Sequence, residues 1–113
     1  MKYKVPFIDM NVIHQPVEQQ LNQVVQKVID EGWYIGGNAV NQFEQDFAEY
    51  IGVGHCLSCG NGTDALELIL KAYKIGPGDE VIIPSFTWVS DAEAVVAVGA
   101  KPVFAEVDHD TLN

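Results

Sequence analysis

The feature that most constrains this chain is a change of rhythm at His55, where long helical stripes give way to short apolar runs separated by glycine. Residues 56–59 read as a strand and Gly60-Asn61-Gly62 as a turn. Residues 63–73 follow as a helix, with Leu66, Ile69, Leu70 and Tyr73 on its buried face. Gly76-Pro77-Gly78-Asp79 is a second turn, 81–84 a short buried strand, 88–98 an Ala/Val-rich helix and 102–105 a third strand. Strands that alternate with helices must be joined by crossovers, so this pattern predicts an α/β fold with a mainly parallel sheet flanked by helices.

Upstream of His55 the period is helical. Val17, Leu21, Val24, Val25, Val28 and Ile29 repeat at helical spacing over residues 16–31, with Pro16 suited to the first turn and Gly32 ending the pattern. A second stripe over 39–50 carries Val40, Phe43 and Phe47, continues to Ile51, and is closed by Gly52 and Gly54. The expected organisation is a helical segment over 1–54 and the start of an α/β domain over 55–113. Three short strands leave such a sheet with an unfinished face, so the sequence is expected to be the front part of a longer protein.

Charge excludes several function classes. Sixteen Asp and Glu against six Lys, with no Arg, give a net charge of −10. So acidic a surface repels phosphate backbones and anionic lipid, and neither a nucleic-acid nor a membrane partner is expected. The longest apolar run, Ala94 to Val98, is far shorter than the roughly 20 residues of a membrane span. The first residues lack the apolar stretch of an export signal, which makes the cytoplasm the expected location. Cys56 and Cys59 form a C-x-x-C, but His14, His55 and His109 do not complete a zinc spacing. On a strand the two thiols would face opposite sides, so they are expected to be buried strand cysteines, and no metal is expected.

The chemistry concentrates at Cys59-Gly60-Asn61-Gly62-Thr63-Asp64-Ala65-Leu66. Glycine lets a ligand approach the backbone, and a helix start offers unpaired N–H groups and a positive dipole end. An anionic phosphate therefore fits without Arg or Lys; the alternative is an ordinary turn capped by Asn61 or Thr63. Gly60-x-Gly62-x-x-Ala65 also matches a relaxed dinucleotide fingerprint, but no acid stands at the exit of the second strand, Ile83-Pro84-Ser85-Phe86-Thr87-Trp88. Asp79 and Glu80 lie at its start, the wrong edge, and no Walker-type lysine follows the glycines. Trp88 lies at the ligand-facing end of that strand, where an indole can stack on a flat ring. A phosphate cradle with a stacking aromatic suggests pyridoxal phosphate, against the alternative of a Trp buried at a helix start. The loop Gly32-Trp33-Tyr34-Ile35-Gly36-Gly37 is either a ligand edge or a plug between helices.

Five motifs now stand in order: Gly32-Trp33-Tyr34-Ile35-Gly36-Gly37; Phe43-Glu44-x-x-Phe47-Ala48-x-Tyr50-Ile51-Gly52-Val53; Gly60-Asn61-Gly62-Thr63-Asp64-Ala65-Leu66; the stretch from Gly78 to Val89; and Gly99-Ala100-Lys101-Pro102-Val103-Phe104. Together they resemble the N-terminal part of the DegT/DnrJ/StrS family of sugar aminotransferases, over nearly the whole chain. The resemblance implies the large domain of the aspartate-aminotransferase fold (fold type I) and a homodimer with a shared active site. It implies transfer of an amino group from an amino acid, usually glutamate, to a nucleotide-linked keto-sugar, with pyridoxal 5'-phosphate as cofactor. Gly62, Thr63 and Asp64 would hold the cofactor phosphate, Trp88 would stack on its ring, and Tyr34 would contact substrate. The lysine that carries the cofactor would lie beyond residue 113, so these residues alone would be inactive. Three rivals stand beside this reading: a dehydratase of the same family with His in place of that lysine, a Rossmann-type NAD-dependent oxidoreductase, and a non-catalytic relative.

Overall fold

The computed structural model describes residues 5–112. Their contacts divide into two units, with the boundary between Leu57 and Ser58.

The first unit is helical. α1 (Met10–His14) is capped by Asp9, whose Oδ1 accepts from the N–H groups of Asn11 and Val12 at 3.1 and 3.4 Å. A 3-10 turn over Gln15–Val17 leads into α2 (Glu18–Glu31). Pro16, expected in the first turn of a helix over 16–31, thus lies in the 3-10 turn before α2, where its missing N–H costs nothing. α3 (Asn38–Ile51) follows, and both long helices end on a left-handed glycine, Gly32 at φ +67° and Gly52 at φ +79°. The Phe43 and Phe47 rings stack at 5.6 Å, and Phe47 lies 6.4 Å from the ring of Tyr50. Ala48 is the one buried residue of α3, while Leu21, Val24, Val25 and Ile29 on α2 stay exposed.

The second unit holds the α/β pattern. α4 (Gly62–Ala72) is followed by β1 (Glu80–Pro84), α5 (Ser90–Ala97) and β2 (Lys101–Ala105). β1 and β2 pair in parallel, from Glu80 opposite Lys101 to Pro84 opposite Ala105. The expected strand over 56–59 does not form: among the described residues the sheet has two strands, and this segment runs without turn or bend but pairs with neither. Its cysteines are accordingly not buried; Cys56 is half-buried and Cys59 exposed.

The core of this unit is Ile83, Val95 and Ala100, with Leu70, Ile75, Val81, Ala92 and Val98 packed around them. Val95 is only 2% exposed, and burying such a side chain contributes about 1.5–3 kcal/mol. Ile69 and Tyr73, expected on the inner face of α4, are exposed because α4 packs against α5 on one side only. The sheet face bearing Ile82 is likewise open, although parallel sheets are normally covered on both faces. At the start of the strands, Asp79 closes a turn by accepting from Gly76 N–H through Oδ2 (2.9 Å), and Lys101 donates to Glu80 at 2.7 Å. That bond to Glu80, and then its charge, hold the Lys101 ammonium above its ordinary pKa.

Candidate functional site

The start of α4 is built by Asn61. Its extended backbone (φ −165°) turns the side chain over the helix end, where Oδ1 accepts from Asp64 N–H at 3.0 Å. Nδ2 donates back to Asp64 Oδ2 at 3.1 Å, so cap and first turn hold each other. The Asn61 carbonyl accepts from Ala65 N–H at 3.1 Å and from the Cys59 thiol at 3.3 Å. Of the first amides of α4, those of Gly62 and Thr63 therefore stand ahead of any intrahelical acceptor, while that of Asp64 is committed to the cap. A Cβ on Gly62 would meet nothing within 4 Å, so the space on that side of Gly62 is open. At Gly60 a Cβ would come within 2.7 Å of Asp64 Oδ2, which leans over that residue.

Trp88 lies between the exit of β1 and the start of α5 and is 77% exposed. Its indole makes no hydrogen bond or ring contact among the described residues, so it is not the buried helix-start Trp that the sequence allowed as an alternative. The backbone around it is fixed instead. Ser85 N–H donates to the Ala105 carbonyl at 2.8 Å and Ser85 Oγ to Glu106 at 3.2 Å. Thr87 Oγ1 donates to Asp91 Oδ2 at 2.5 Å, and Asp91 N–H to the Trp88 carbonyl at 3.2 Å. Sequence reasoning passed over Thr87 and Asp91, although a hydroxyl four residues before an acid at a helix start is a legible signal.

Gly62, Thr63, Asp64 and Trp88 belong to the second unit, where α4 and α5 pack together. Tyr34 belongs to the first and is 70% exposed. Beside it, Trp33 donates from Nε1 to the Ile35 carbonyl at 2.8 Å and lies against Gly37, where a Cβ would come within 3.1 Å of the ring. Trp33 is thus folded onto its own loop while remaining 67% exposed. Among the described residues no group of three or more His, Cys, Asp or Glu is placed to hold a metal ion. Among the described residues no helix is long and apolar enough to cross a membrane.

The glycine loop, capped helix and aromatic turn now have counterparts. The profile of the DegT/DnrJ/EryC1/StrS aminotransferase family matches residues 15–113. This chain belongs to that family. It is 44% identical over 109 residues to a dTDP-3-amino-3,6-dideoxy-alpha-D-galactopyranose transaminase of Aneurinibacillus thermoaerophilus, covering 96% of this chain and 30% of the relative. A DegT DnrJ EryC1 StrS aminotransferase from Brucella abortus superposes with a TM-score of 0.90 at 46% identity, covering 96% of this chain and 29% of that one. A Streptococcus pneumoniae protein solved in its PLP form is similar at 31% identity and a TM-score of 0.81, over 97% of this chain and 27% of its own. The fold is therefore that of the N-terminal part of the large domain in these aminotransferases. The chain spans about 30% of the length of the curated relatives it matches.

Proposed function

We infer that this chain serves a pyridoxal-phosphate aminotransferase that moves an amino group from an amino acid, glutamate being the expected donor, to a nucleotide-linked keto-sugar. The observation that carries the reading is the family match over residues 15–113, which includes both the glycine loop and the Trp88 turn. The relative from Aneurinibacillus supports a nucleotide-linked sugar as substrate, and the PLP form of the Streptococcus protein supports the cofactor.

The residues present fit that cofactor. Its phosphate needs donors, and the first amides of α4 supply them beside open space at Gly62. Its ring needs a flat apolar face, and Trp88 offers an indole with no other partner among the described residues. In this reading Gly62 and Thr63 bind the phosphate through their N–H groups. Asp64 serves mainly by holding Asn61, because its own N–H is already engaged. Trp88 orients the ring and Tyr34 borders the substrate. When bound, the cofactor supplies the electron sink for amino-group transfer.

The reading places the cofactor-bearing lysine beyond residue 113, with these residues inactive alone. The homodimer with a shared active site and the cytoplasmic location belong to the same reading. The division at residue 54 into a helical segment and a cofactor domain belongs to the same reading.

Borohydride reduction of the full-length protein, followed by intact-mass measurement, tests it. A phosphopyridoxyl adduct is expected. A full-length chain that takes up no adduct would overturn the aminotransferase assignment in favour of a dehydratase or a non-catalytic relative.

A further inference from the structure

We propose that Thr87 and Asp91 are a positioning pair for Trp88, fixing the backbone on which the indole is presented to the cofactor ring. The proposal rests on the reading of Trp88 as the stacking residue. The Trp88 indole has no hydrogen bond or ring contact among the described residues, so the geometry fixed around it is that of its main chain. On the upstream side that main chain is tied to β2 by Ser85, through Ala105 and Glu106. Downstream, Val89 stands at the cap position of α5 and gives it no side-chain cap. What joins the turn to the helix there is Thr87 Oγ1 donating to Asp91 Oδ2 at 2.5 Å, closed by Asp91 N–H donating to the Trp88 carbonyl. The hydroxyl bond is at the short end for an O–H to carboxylate contact, and the β-branched Thr holds χ1 stiffly. Together these bonds form a closed ring of contacts around Trp88 that leaves its side chain outside.

The test uses the full-length protein and four measurements: pyridoxal-phosphate affinity, the induced circular dichroism of the bound cofactor's visible band, competition by inorganic phosphate, and rescue. Thr87→Val keeps the shape and removes the donor. It is expected to weaken cofactor binding by part of the about tenfold that loss of the stack itself would cost, and to change the dichroism. Inhibition by inorganic phosphate, which needs only the α4 amides, should remain within about twofold, and Thr87→Ser should restore binding. A Thr87→Val protein with wild-type affinity and dichroism overturns the proposal, as does an equal loss of cofactor and phosphate binding, which marks general damage. Trp88→Ala separates the two levels. If it too binds the cofactor normally, the stacking reading fails and the pair's role fails with it; if it binds weakly while Thr87→Val does not, the pair alone is refuted.

Discussion

Trp33 and Trp88 sit in loops of opposite design. In the first, the side chain is held and the backbone depends on glycine: the Trp33 indole bonds to the Ile35 carbonyl and rests on Gly37, with Gly36 and Gly37 at φ +67° and +86°. In the second, the backbone is held by Ser85, Thr87 and Asp91, and the indole has no hydrogen bond or ring contact among the described residues. Similar exposure therefore describes two different states. An aromatic that satisfies its own N–H nearby has spent its polar handle; one with a fixed main chain and an idle ring is available to a ligand.

Alanine at each tryptophan breaks or sharpens that contrast most strongly. Trp88→Ala should weaken pyridoxal-phosphate binding about tenfold, equivalent to about 1.4 kcal/mol and within the range of an aromatic stack. Trp33→Ala should leave it unchanged, and equilibrium titration of both full-length variants reads the difference. Equal losses would erase the distinction drawn here.

A smaller effect is expected inside the first loop. Gly36→Ala meets only open space and should cost about 1 kcal/mol for its left-handed backbone. Gly37→Ala adds a Cβ 3.1 Å from the Trp33 ring and should cost more. The gap between their urea midpoints combines the ring contact with the glycine-only backbone of Gly37 (φ +86°, ψ −172°), and it should narrow in a Trp33→Ala background.

The smallest effect concerns Asp108, near the end of the described residues. Its Oδ1 accepts from Thr111 N–H, Thr111 Oγ1 and Asp110 N–H at 2.9, 3.1 and 3.0 Å. These bonds, those from Thr111 foremost, hold the carboxyl below its ordinary pKa. A depressed folded pKa means that the turn's stability is fully present above the usual carboxylate range, about 3.9, and is lost as pH falls through the folded value. Amide exchange at Thr111 should accelerate in that acid window, and Asp108→Asn should flatten the pH dependence.

The helices were legible because their signals are local. The stripes of α2 and α3 and their glycine stops lie within one turn of the residues they control. The segment 56–59 was misread for the converse reason: a strand exists only when another strand accepts its hydrogen bonds, and composition reports merely an extended tendency. Exposure of Ile69 and Tyr73 was hidden likewise, since periodicity shows which face is apolar but not whether anything covers it. At the candidate site the glycine loop and Trp88 could be read directly. The engagement of the Asp64 amide by Asn61 could not, because a cap and an anion compete for the same donors and the sequence suits both.

The β1–α5–β2 unit carries one more consequence, in chain entropy. Its paired strands are separated by only 21 residues, as the Lys101 to Glu80 bond shows. Closing a loop of that length costs less than pairing strands far apart in sequence. The turn that presents Trp88 lies inside that loop, so the pairing of β1 with β2 already restricts its freedom.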